Sequence, residues 1–77
     1  VSGEVLQSVC RLAYRSARLY KTEAARIATT LPDRAVYLRA RAGDHLRRAR
    51  AQREYLRELG FVDREIEDLE AEVRRER

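Results

Sequence analysis

The chain has 77 residues and a net charge of +4, with 44% hydrophobic, 39% charged and 6% aromatic residues. A domain this small buries only roughly 60–65% of the surface its unfolded chain exposes, so its stability margin is thin and association is expected to add to it. One Pro and three Gly point to helix almost throughout, and a single Cys excludes a disulfide-stapled secreted scaffold. No apolar run reaches the length of a membrane span or signal-peptide core, so a soluble cytoplasmic protein without membrane contact is expected.

From the N-terminus, Gly3, Leu6, Cys10, Ala13, Ala17, Tyr20, Ala24, Ile27 and Leu31 alternate by three and four without a polar interruption. This spacing predicts a first helix over about 3–30 with one buried face. Its small residues Gly3, Cys10, Ala17 and Ala24 recur every seven positions. Beside that face lie Val5, Val9, Leu12 and Leu19, a second apolar strip that a single packing partner does not cover. The expected occupants are the C-terminal helix and a second copy of the chain.

Thr29 to Asp33 form the connection. Thr30 and Asp33 have capping-box spacing, Pro32 suits a first helical turn, and a proline pushes Leu31 out of helical geometry. A link this short makes the flanking helices antiparallel neighbours; one long helix kinked at Pro32 is the alternative. The second helix, about 32–59, repeats the alternation through Ala35, Leu38, Ala42, His45, Ala49, Gln52, Leu56 and Leu59. Three of these positions, Ala35, Ala42 and Ala49, form a small-residue column that matches the one on the first helix. The two columns predict a close antiparallel seam. Gly43 predicts a local distortion or a close backbone contact inside this helix, and Glu54 is spaced to pair with Arg50.

Gly60 stands where a left-handed C-cap belongs, with Phe61 and Val62 placed to fold back on Leu56. Asp63 then caps a third helix, about 63–76, whose acids crowd the first turns while Arg74, Arg75 and Arg77 end it. Val62, Ile66, Leu69 and Val73 make its short apolar stripe. Charge follows the same division. Residues 1–31 hold five Lys or Arg and two acids, net +3; residues 32–60 hold eight Arg and four acids, net +4; residues 61–77 hold four Arg and seven acids, net −3.

The residues able to carry chemistry are few. Cys10 lies among apolar neighbours and reads as a small core residue. His45 is the only histidine and falls on the buried stripe, so its plain reading is a core side chain hydrogen-bonded to Gln52 or to a copy across an interface. Taken in order, Tyr20, Glu23, Asp44, His45 and Gly60 resemble a ferritin-like half-bundle that assembles as a dimer. That resemblance implies a metal site in which a Glu from one helix faces a Glu-x-x-His pair from the next. Ala42 stands where the Glu of that pair belongs, which leaves Glu23 and His45 with Asp44 on the wrong face. Arg39 and His45 also resemble the Arg, four to six residues, His spacing of HEPN-class ribonucleases, which implies an Arg steadying a phosphate while His moves a proton.

Sixteen Arg against one Lys remain. Arg39, Arg41, Arg47, Arg48, Arg50 and Arg53 could make a phosphate-binding surface for nucleic acid on the second helix, or simply a solvated one. The acidic third helix could fold over that surface and neutralise it. The chain therefore reads as a single all-α domain over 1–77: an antiparallel helical hairpin plus a short C-terminal amphipathic helix, assembling into a dimeric four-helix bundle or a higher oligomer. Its expected function is that of a non-enzymatic, self-associating interaction module without cofactor or metal. The interface is expected at Val5, Val9, Leu12, Leu19, Ala35, Ala42, Ala49, Ile66 and Leu69. A basic nucleic-acid-binding protein is one alternative, and a ferritin-like metal site or HEPN-like ribonuclease site at Glu23, His45 and Gln52 is the other.

Overall fold

A computed structural model describes residues 2–76. Three helices follow one another: α1 (Gly3–Ile27), α2 (Pro32–Glu58) and α3 (Arg64–Arg75). They form an elongated slab of 45 × 23 × 14 Å. Each boundary has a local cause. The Ser2 hydroxyl accepts from the Val5 N–H and caps α1, while Asp63 accepts from the Ile66 N–H and caps α3. At the end of α2, Gly60 takes a φ of +86°, its N–H donates to the Arg57 carbonyl, and the Phe61 N–H donates to the Leu56 carbonyl. This is the Schellman ending, and only glycine adopts that φ without strain.

The link between α1 and α2 differs from the capping box that Thr30 and Asp33 suggest. Helix α1 ends at Ile27, earlier than its apolar spacing implies, and the backbone N–H groups of Thr30 and Leu31 both donate to the Ile27 carbonyl. Pro32 then occupies the first helical position, so the N-cap is Leu31, which has no side-chain cap. Thr30 sits one place too early to act as N-cap, and its hydroxyl donates back to the Ile27 carbonyl instead. The chain turns fully here, which rules out a single kinked helix.

Helices α1 and α2 pack as the expected antiparallel hairpin, with their small columns face to face. Cys10, Ala17, Ala24, Ala35, Ala42 and Ala49 are all buried. The backbones approach closely enough for the Cys10 thiol to donate to the Ala49 carbonyl at 3.3 Å. Burial, then the Asp63 charge, pushes that thiol up to about 11, so Cys10 is an inert core residue and no nucleophile. Gly3 extends the column: the Phe61 ring rests where a Cβ on Gly3 would project. Gly43 has no comparable neighbour. A Cβ there would meet only an Arg47 guanidinium nitrogen, at 3.6 Å, and α2 runs through the position without a break. The distortion expected from this glycine is therefore absent. Gly43→Ala should stabilise the protein by about 0.5–1 kcal/mol, read as a higher urea midpoint, because helix propensity improves and nothing is displaced.

Helix α3 lies along one flank of the hairpin, parallel to α1. Asp63 meets Arg11, Glu65 meets Arg11 and Arg15, and Glu72 meets Arg18, in the same chain order. Ile66 is buried against Cys10, Ala13, Tyr14, Ala49 and Leu56, and Leu6, Leu46, Phe61, Leu69 and Val73 close around them. Twelve residues cover only about half of the hairpin's length. The other half is held by a smaller cluster of Ala24, Ile27, Ala35 and Leu38 with Tyr20 and Ala28 beside it. The acidic helix thus sits on the flank opposite Val5, Val9, Leu12 and Leu19, and the expectation that it covers that strip is overturned.

Candidate functional site

Two flanks of the hairpin differ in one respect: α3 fills one and leaves the other open. On the filled flank the carboxylates of α3 are joined to arginines of both other helices. Arg53 makes two hydrogen bonds to Glu67, at 2.8 and 2.7 Å. Arg50 does the same with Glu70, at 2.8 and 3.2 Å, and so does not pair with Glu54. Glu70 is only 3% exposed, and it also accepts from the Tyr14 hydroxyl at 2.9 Å and from Arg74. Hydrogen bonds from Arg50 and Tyr14 outweigh burial and hold its carboxyl at about 2, well below the ordinary range. Tyr14 is fully buried, and burial together with the Glu70 carboxylate raises its hydroxyl pKa. Neither Tyr14 nor Glu70 stands out in the sequence, because Tyr14 lies one place off the seam alternation and Glu70 is one acid among seven in the tail.

The open flank carries the apolar strip. Val5, Val9, Leu12 and Leu19 are 54%, 41%, 63% and 71% exposed, a contiguous row of large side chains facing solvent on a 77-residue protein. Two hollows run beside it and share Ser16. One is lined by Val9, Leu12, Ala13, Ser16, His45 and Arg48, and the other by Ser16, Leu19, Tyr20, Glu23 and Leu38. The facing edge of α2 supplies Arg34, Arg41 and Arg48, spaced by sevens. The Arg41 guanidinium lies 5.8 Å from the Tyr20 ring centroid and that of Arg34 lies 5.5 Å from Tyr37. None of the three arginines is joined to a carboxylate among the described residues. Tyr37 and Tyr55, both about half exposed, extend the apolar surface of α2.

The residues singled out in the sequence fall into three places. Val5, Val9, Leu12 and Leu19 are free surface. Ala35, Ala42 and Ala49 are consumed by the seam within the chain, Ile66 on the inner face of α3 is buried against the hairpin, and Leu69 on the same helix is half-buried there, so these five belong to the intramolecular core. Among the arginines, Arg50 and Arg53 are tied to α3 and Arg47 pairs with Asp44, while Arg39, Arg41 and Arg48 have no carboxylate partner among the described residues.

His45 is half-buried and stacks on Tyr20, with ring centroids 5.2 Å apart and planes at 14°. It does not bond to Gln52, whose Oε1 is buried without a hydrogen-bond partner among the described residues. Glu23, placed opposite His45 in the metal reading, is clamped by two hydrogen bonds from Arg26, which lower its carboxyl pKa. Among the described residues no three His, Cys, Asp or Glu side chains converge on one point as metal ligands. Arg39 lies on the other flank from His45, in a hollow of about 270 Å³ beyond the end of α3 with Lys21 and Glu76. The pair that the ribonuclease spacing joins is thus divided between two faces.

No helix among the described residues is long and apolar enough to cross a membrane. Compared with protein-family models, with curated proteins and with solved structures, the chain matches none.

Proposed function

We propose that the protein is a non-enzymatic helical interaction module that self-associates by closing the open flank of its hairpin. The observation that carries this reading is the exposure of Val5, Val9, Leu12 and Leu19 in one row, with the chain's own third helix committed to the opposite flank. Contiguous apolar surface of this kind marks an interaction site, and two hairpins laid face to face make a four-helix bundle. Sedimentation equilibrium at tens of micromolar should show association. Leu12→Glu and Leu19→Glu should each weaken it by about tenfold or more, since each puts a charge into the apolar row. A chain that remains monomeric throughout that range would overturn the self-associating form.

A second reading is nucleic-acid binding, favoured by Arg41 and Arg48 on the open flank and Arg39 on the other, none of which has a carboxylate partner among the described residues. It predicts a gel shift that weakens steeply with salt. Glu67→Gln, which releases Arg53 from α3, should strengthen that shift; no shift at low salt removes this reading.

A further inference from the structure

The two flanks of the hairpin are built alike. On the filled flank, an amphipathic helix lays Ile66, Leu69 and Val73 against the hairpin and hands its carboxylates to arginines on either side. On the open flank the hairpin again offers an apolar row and a row of arginines, Arg34, Arg41 and Arg48, which no element among the described residues covers. A seven-residue repeat advances about 10.5 Å along a helix, so cations at that spacing match carboxylates at the same spacing on a helix laid alongside. Helix α3 and its cap show this pattern within the chain: Asp63 and Glu70 are seven apart, and so are Glu65 and Glu72.

We infer that the open flank docks an acidic amphipathic helix of a partner protein, the same kind of element that α3 supplies to the filled flank. The inference rests on the interaction-module reading and names the partner's chemistry. Charge ranks the occupants of the face. A second copy buries the apolar row but brings a second row of arginines to it, and the carboxylate lining the open hollows, Glu23, is already held by Arg26. An acidic helix buries the same row and also neutralises the arginines, so it displaces the second copy from the face that self-association uses in the free chain, and its encounter is faster at low salt.

The test titrates two labelled synthetic peptides into the full chain and reads fluorescence anisotropy. One peptide has the sequence of residues 62–76; the other carries Glu65→Gln, Glu67→Gln, Glu70→Gln and Glu72→Gln. The acidic peptide should bind, and the Gln peptide should bind about tenfold more weakly or worse. Arg41→Glu with Arg48→Glu should remove a similar factor, and Arg53→Gln, on the filled flank, should leave affinity unchanged. Arg41 and Arg48 are exposed, and an unchanged far-UV circular dichroism spectrum checks that the variants fold.

Equal affinity of the two peptides, lost in Leu12→Glu, would overturn the acidic preference while leaving a helix-docking face. Loss in Arg53→Gln alone would mean exchange with α3 and overturn the proposal. Self-association abolished by Leu12→Glu without peptide binding would assign the face to a second copy. A single-stranded oligonucleotide that binds more tightly than the acidic peptide, is lost in the arginine double variant and survives Leu12→Glu would assign the arginines to nucleic acid. Absence of both peptide binding and self-association would remove this inference together with the reading on which it rests.

Discussion

Glu70→Ala should cost about 3 kcal/mol and release α3 from the hairpin, as read by the urea midpoint of unfolding. The substitution leaves the fully buried Tyr14 hydroxyl without its acceptor and removes the acceptor of bonds from Arg50 and Arg74. This cost lies at the lower end of that for breaking a buried ion pair, because Arg50 and Arg74 are 47% and 69% exposed and recover water. The depressed carboxyl of Glu70 corresponds to an effect of the same size. The Glu70 carboxyl falls from 4.5 to about 2 on folding, equivalent to about 3 kcal/mol at neutral pH.

The sign of that linkage is that of a depressed acid. The folded state keeps the proton off, so the stabilisation is whole above about pH 4.5 and drains away as pH falls towards 2. Glu67, lowered in the same direction by Arg53, adds to the trend. Glu70→Gln keeps an acceptor for Tyr14 and should cost less, about 1–2 kcal/mol, and its stability should vary less between pH 4.5 and 2 than that of the unsubstituted chain. Glu70→Ala unfolding at the original midpoint, or equal acid sensitivity in Glu70→Gln, would show that this network does not hold α3.

Ala49→Leu should be about as damaging, at about 2–3 kcal/mol, or a drop in Tm of roughly 10–20 °C for a domain of this size. Ala49 is fully buried, its carbonyl accepts from the Cys10 thiol, and it touches the cluster that joins all three helices. Three extra carbons there have no cavity to enter, so the seam must open and the thiol contact must break. Ala51→Leu is the control: it lies two residues away on the exposed side of α2 and should change stability by no more than about 0.5 kcal/mol. Equal effects of the two substitutions would mean that the seam tolerates bulk and that small residues do not set the helix separation.

Much of this architecture is readable from residue spacing, because the forces that set it act over one or two turns. The Gly60 ending, the Asp63 cap, the turn at Pro32 and the two small columns are local devices. The structure reproduces all four, except that Val62, expected to fold back on Leu56 with Phe61, is 88% exposed, and the Thr30 box fails because proline moved the helix start by one place. The strip of the candidate face was legible for the same reason: Val5, Val9, Leu12 and Leu19 share a side of one helix. The charged edge was only partly so. Arg41 and Arg48 stand out, but Arg34 joins them only when α1 shows which side of α2 is open, and Tyr37 and Tyr55 take their meaning from the same placement.

What the sequence determined by itself was that three amphipathic helices exist, where the second and third stop to within a residue, and that the first two pack closely through small residues. What only the tertiary structure decided was the flank on which the third helix lies. Its stripe of Ile66, Leu69 and Val73 suits either flank, since both offer apolar rows and arginines. The choice is made by pairings across long stretches of chain, Arg11 with Asp63, Arg53 with Glu67 and Tyr14 with Glu70, which no periodicity reports. Those bonds close one side of the hairpin and thereby leave Val5, Val9, Leu12 and Leu19 open on the other.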